Sequence, residues 1–151
     1  MYVTCLDLEG VLVPEIWIAF AEETGIEELK LTTRDIPDYD VLMNKRIGIL
    51  KEHNLTLKDI QNTIAKIKPL DGAKEFLDKL RQLCQVIILS DTFTQFALPL
   101  MQQLDMPTIF CNDLVVAEDG KMSVAKVSTD VLVQGTQEVI LHGGNATGYG
   151  A

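Results

Sequence analysis

Apolar positions run along this chain in two rhythms. Short apolar runs at 2–8, 85–89, 108–111 and 138–141 are bounded by glycine or polar residues and read as buried strands. Between them, apolar residues recur at helical spacing. Pro14 opens a helix to about residue 23, with Ile16, Trp17, Ala19 and Phe20 as its stripe. A polar loop follows at 32–39. The next helix, 40–53, turns Leu42, Met43, Ile49 and Leu50 to one face. Thr56, with Asp59 three residues on, caps a helix lasting to about residue 67. Asp71 caps another, with Phe76, Leu77, Leu80 and Leu83 inward. A further helix carries Phe93, Phe96, Ala97, Leu100, Met101 and Leu104. Residues 114–117 and 121–127 flank Asp119-Gly120, a hairpin turn signal, and a weak helix follows Ser128.

Strands alternating with helices predict an α/β fold with a parallel sheet. About 75 residues separate the first two strands, far more than one crossover needs. The economical reading is a small helical cap, residues 14–71, inserted after the first strand. Residues 1–13 and 72–151 then form the α/β core.

Composition narrows the classes. Of 151 residues, 47% are hydrophobic and 23% charged, which excludes a disordered or collagen-like chain. No apolar run is long enough for a membrane span, and the N-terminus lacks the basic region of a signal peptide. The formal charge of −9, without a Lys/Arg cluster, argues against nucleic acid as a partner. Cys5, Cys84 and Cys111 fit neither a disulfide framework nor a zinc site. Buried free thiols in a reducing cytoplasm are expected instead.

In open α/β sheets the site lies at the C-terminal ends of the strands. That rule gathers Asp7, Glu9, Ser90 and Asp91 into one crevice. Two carboxyls at the end of an apolar strand are costly unless used. Their alternation puts both on one side, so that one can attack while the other handles a proton, and Gly10 lets the chain turn away. The alternative is a pair of acids capping a turn. Ser90-Asp91-Thr92 can hold phosphate oxygens with a hydroxyl and backbone N–H groups, or serve as an ordinary helix cap. Arg46 shares the face of Leu42, Ile49 and Leu50, where a salt bridge stapling the cap is the plainer reading. Glu15 in the first turn of its helix is favoured by the helix dipole alone. Trp17 reads as core, and neither His53 nor His142 has a ligand-spaced partner.

These residues resemble a known family. Asp7-Leu8-Glu9-Gly10-Val11-Leu12 resembles the first motif of the haloacid dehalogenase superfamily, and Val86-Ile87-Ile88-Leu89-Ser90-Asp91-Thr92 its second. Within it the chain is similar to the phosphoserine phosphatase group, above all its branch with both phosphoserine phosphatase and homoserine phosphotransferase activity. Residues 7–15, 33–40 and 89–93 carry that finer likeness. The resemblance implies a Rossmannoid parallel sheet of the haloacid dehalogenase type with a helical cap. It implies Asp7 as the nucleophile that forms an aspartyl-phosphate. Glu9 stands where most of the superfamily has Asp. It would protonate the leaving serine and then activate water or homoserine, its carbonyl and Asp7 holding Mg2+. Ser90 and the Asp91 backbone would bind phosphate. Glu15 and Arg46 would grip the ammonium and carboxylate of a small phosphorylated amino acid, which replaces the staple reading of Arg46. Homo-oligomerisation is left open.

The likeness stops near residue 121. The family's next motifs are a lysine and a Gly-Asp with a second Asp four residues on. Here no lysine follows Lys126 and no carboxylate side chain follows Glu138. If Gly143 matches the motif's glycine, Gly144 replaces the metal-binding Asp. The expectation is therefore a sheet incomplete at its C-terminal end, weakened Mg2+ binding and doubtful turnover. The alternative reading is a truncated, catalytically inactive homologue that binds phospho-amino acids. A receiver-like phospho-acceptor domain using Asp7 fits worst, because that fold has no cap.

Overall fold

The computed structural model describes residues 2–125 and 140–142. Strand β1, Val3–Leu6, is an interior strand of the sheet, as its apolar run requires. It pairs in parallel with β2, Gln85–Phe93, on one side and with β5, Ile140–His142, on the other. On the far side of β2 lies β3, Thr108–Val116, also parallel. Strand β4, Met122–Ala125, closes the edge as an antiparallel hairpin partner, giving the order β4-β3-β2-β1-β5. The hairpin turn places Gly120 at φ 79°, which a residue with a Cβ adopts at a cost. The expected third strand and first hairpin arm form one continuous strand, β3. Asn112 and Asp113 keep extended backbone although their polarity breaks the apolar run.

Between β1 and β2 lie α1 (Ile16–Thr24), a short 3-10 turn (Glu27–Lys30), α2 (Tyr39–Glu52), α3 (Leu57–Ile64) and α4 (Ala73–Leu83). Gly25, at φ 72°, ends α1 in the left-handed conformation and donates to Ala21 O. The expected cap of α3 forms: Asp59 Oδ2 accepts from both the backbone N–H and the hydroxyl of Thr56, each at 2.7 Å. Two details of α4 differ from expectation. Its N-cap is Gly72 at φ 79°, not Asp71, and Phe76 and Leu83 are 49% and 83% exposed. Leu77 is buried and Leu80 packs beside it, so the inward stripe is narrower than the apolar periodicity.

Helix α5, Thr94–Gln103, returns the chain from β2 and contains Pro99. A proline there cannot donate to the carbonyl four residues back. That carbonyl, Gln95 O, instead accepts from Gln61 Nε2 of α3 at 3.1 Å. The Gln95 side chain meanwhile pairs with the Leu114 backbone in both directions, at 3.0 and 3.1 Å. One glutamine thus binds α5 to β3 while its carbonyl binds α5 to α3.

A single apolar cluster runs from Leu6, Leu8 and Leu12 through Phe20, Ile60 and Ile64 to Phe96 and Leu100. Trp17 and Phe96 meet edge to face, as do Phe93 and Phe96. The thiols are free, but only Cys5 is buried; Cys84 and Cys111 are half-buried, with Cys84 at the end of α4 and Cys111 on β3. The helix expected after Ser128 and the matches proposed for Gly143 and Gly144 lie outside the described residues. No described helix is long and apolar enough to cross a membrane.

Candidate active site

The chain leaves β1 through a tight turn. The amides of Leu12 and Val13 both donate to Leu8 O, at 2.9 and 3.1 Å, while Gly10 N–H donates to Val13 O at 2.7 Å. Gly10 sits at φ 75°, which frees the chain to reverse at once. Asp7 stands at the head of this turn, its Oδ1 accepting from Leu8 N–H at 2.7 Å. Glu9 points to the start of α1, where its Oε2 accepts from Ile16 N–H at 2.9 Å. The first helical amides of α1 lack intrahelical partners, so this carboxylate caps the helix from a distance of seven residues. The capping alternative for the strand-end acids is thus part of what Glu9 does.

Both carboxyls resist ionisation. Burial pushes Asp7 up to about 6, with the charges of Asp91 and Glu15 adding to it. Burial pushes Glu9 up to about 7, against the lowering pull of the Ile16 amide, with Asp91 again raising it and Arg46 lowering it. Burial also raises Asp91.

Arg46 lies on α2, 7% exposed, among the apolar residues that its helical spacing predicts. Its guanidinium stacks over the Trp17 ring at 4.6 Å. Nη2 donates to Leu31 O at 2.8 Å, and Nη1 meets Met43 Sδ at 3.7 Å. Nε is buried without a hydrogen-bond partner. Among the described residues Arg46 makes no ion pair within 4.0 Å, so a close salt bridge does not staple it. Burial lowers its pKa; the fields of Glu9, Tyr39, Asp91 and Glu15 oppose that. Glu15 is the N-cap residue of α1, with an exposed side chain.

Strand β2 delivers Ser90 and Asp91. Ser90 is buried, and its Oγ accepts from Thr92 N–H at 3.2 Å. The Asp91 carbonyl accepts twice: from the Tyr39 hydroxyl at 2.7 Å and from Asn112 Nδ2 at 3.0 Å. Thr92 is buried beside Glu9, its hydroxyl lacking a hydrogen bond of good geometry.

The structure therefore brings Asp7, Glu9, Glu15, Arg46 and Asp91 into one electrostatic neighbourhood, with Ser90 adjoining through the backbone. Sequence reasoning missed Tyr39 and Asn112. The one available signal was a tyrosine directly after Pro37-Asp38, where a helix was expected to begin.

Asp7 and the Glu9 carbonyl are hard oxygen donors, and the four carboxyls here outnumber the one guanidinium among them. That chemistry fits a divalent cation such as magnesium, which commonly takes one or two carboxylates and keeps several waters. Among the described residues, no three His, Cys, Asp or Glu side chains converge to hold a metal by themselves.

Comparison with known proteins agrees with this architecture. A family model described as haloacid dehalogenase-like hydrolase matches residues 5–143. The chain is 62% identical over 122 residues to "Phosphoserine phosphatase ThrH" of Pseudomonas aeruginosa, covering 81% of this chain and 60% of that protein. It is also 62% identical over 120 residues to "Phosphoserine phosphatase" of Pseudomonas syringae pv. tomato, covering 80% of this chain and 51% of that one. The chain thus spans between half and three fifths of these relatives' length. A solved structure described as "Phospho-Aspartyl Intermediate Analogue of Phosphoserine phosphatase" superposes with a TM-score of 0.62 at 25% identity, covering 80% of this chain and 59% of the other. With its strand-end carboxyls, its parallel sheet and a family match over nearly its whole length, the chain belongs to the haloacid dehalogenase-like hydrolases.

Proposed function

We propose that this chain carries the acyl-phosphate chemistry of a phosphoserine phosphatase, with Asp7 as nucleophile and Glu9 as proton donor and acceptor. The observation that carries this reading is the charge arrangement. Asp7 and Glu9 share the field of Asp91, and Arg46 lies in the field of Glu9 and Asp91 with a buried Nε that has no hydrogen-bond partner. The names of the relatives support phosphoserine as substrate. The solved neighbour, an analogue of a phospho-aspartyl intermediate, supports an aspartyl-phosphate.

In the first step an Asp7 oxygen attacks phosphorus and the bond from phosphorus to the serine oxygen breaks. Glu9, held near 7, is protonated in a large fraction of molecules at neutral pH and gives its proton to that oxygen. In the second step Glu9 takes a proton from water, whose oxygen attacks phosphorus and releases phosphate from Asp7. Homoserine is the competing acceptor. Ser90 and the backbone after it hold phosphate oxygens. Arg46 holds the substrate carboxylate, and Glu15 its ammonium. Residues 14–71 act as the cap that excludes water from the first step. Magnesium, held by the Asp7 carboxylate and the Glu9 carbonyl, would screen Asp7 from the phosphate dianion.

Phosphate release from phosphoserine with magnesium tests the reading. Release that Asp7→Asn abolishes supports it. Binding of phosphoserine without release supports the inactive binding module instead. Neither binding nor release overturns both.

A further inference from the structure

The Asp91–Thr92 peptide is held at both ends. Its carbonyl accepts from Tyr39 on α2 and from Asn112 on β3, at 2.7 and 3.0 Å. Its N–H donates to Ser90 Oγ at 3.2 Å. A serine hydroxyl has one proton and two lone pairs. Thr92 N–H fills one lone pair, which leaves the Ser90 proton for an acceptor oxygen outside this network. Two donors on the carbonyl also polarise the amide and strengthen its N–H as a donor. Tyr39 and Asn112 adjoin each other, and burial beside Asp91 pushes the phenol up, so it stays a donor across the working pH range.

These contacts join three elements that are distant in sequence. Tyr39 is the first residue of α2, whose entry Asp38 fixes by accepting from Val41 N–H at 3.0 Å. The same helix carries Arg46 about two turns further along on the same face. Docking of α2 therefore sets the end of β2 past Leu89, where its register with β3 shifts, at the same time as it brings Arg46 over Trp17.

We propose that Tyr39 and Asn112 are positioning residues of this site. By clamping the Asp91 carbonyl they fix the Asp91–Thr92 peptide, and through it aim the Ser90 hydroxyl at an anionic oxygen. The inference rests on the functional reading above and names a device within it: the C-terminal end of β2 is set for an anion only when α2 is docked.

The test uses the full chain, Tyr39→Phe and Asn112→Ala, with inorganic phosphate as the probe. Amide hydrogen exchange is read at Thr92 and, as a control, at Ile88 in the same strand. Each variant should speed exchange at Thr92 and weaken phosphate binding, each by about fivefold, the worth of one hydrogen bond. Exchange at Ile88 should not change. A merely structural loss would speed both amides together. Unchanged Thr92 exchange in both variants overturns the proposal, and so does phosphate affinity equal to that of the unmodified chain. An unmodified chain that binds no phosphate overturns the functional reading and the anion claim with it. That failure appears before any variant is made, so the two are distinguishable.

Discussion

Two kinds of charge are enclosed in this site, and the fold treats them oppositely. At the end of β1, Asp7 and Glu9 are each held by a backbone N–H, yet other carboxyls surround them and burial raises both. On α2, Arg46 is held by neutral partners: an indole face, a carbonyl and a thioether. The carboxyls are left short of positive charge, while the guanidinium is fixed without being neutralised by a contact ion pair. A site meant only for stability would pair them directly, because an unpaired buried charge is costly. Keeping them apart suits the proposed substrate, which carries a carboxylate at one end and a reactive phosphorus at the other.

The comparison breaks most sharply at Asp7. Asp7→Asn should lower phosphate release from phosphoserine by on the order of a thousandfold or more, since the attacking oxygen is removed. A small loss would place the reactive group elsewhere.

Glu9 gives a second break, read in stability. Its pKa rises from 4.5 in the unfolded chain to about 7 when folded. The folded state then holds the proton more tightly. Its stabilising effect is full below pH 4.5 and is lost as pH climbs through 7. The shift corresponds to roughly 3 kcal/mol. Asp7, raised to about 6, acts in the same direction. Thermal unfolding of the unmodified chain should therefore show falling Tm between pH 4.5 and 7, and Glu9→Gln should flatten that slope. A Tm that rises over this window would mean the carboxyls are matched by positive charge after all.

On the other side of the comparison, Arg46→Ala should weaken phosphoserine binding by about tenfold to a hundredfold, the range for a hydrogen bond to a charged group. Inorganic phosphate should bind nearly as before, and calorimetry of both ligands checks the contrast. Equal losses would remove Arg46 from the carboxylate end. The smallest effect is a control outside the site. Thr56→Ala should cost about 1 kcal/mol of stability through the cap of α3, with ligand binding unchanged. Altered binding there would show that the helical segment and the site are less separate than their contacts indicate.

The site's charged residues were legible because each breaks a pattern. Carboxyls at the end of an apolar run, and an arginine on an apolar helix face, stand out from their neighbours along the chain. Tyr39 breaks no pattern, and Asn112 interrupts an apolar run in a way that reads only as the end of a strand. What matters in them is contact with a main-chain carbonyl, 52 residues away for Tyr39, and a carbonyl has no sequence signature. The fold was read best where one rhythm dominates, as in β1 and α2; β2 runs past its expected end at Leu89 to Phe93, which was expected on the next helix. The fold was misread where periodicity and burial part company, as at Phe76 and Leu83, and at Asn112-Asp113, where polar residues continue a strand that neighbouring backbone holds. Gly72 displaced Asp71 as the N-cap of α4 because the chain enters that helix in the left-handed conformation.

The central claim is that Asp7 accepts the phosphoryl group. The direct measurement is rapid acid quench of the chain with phosphoserine and magnesium, followed by mass spectrometry of the peptide that contains Asp7. The account predicts a gain of one phosphoryl group on Asp7, absent from Asp7→Asn. Phosphate release with no such adduct at any quench time, and undiminished in Asp7→Asn, would contradict it.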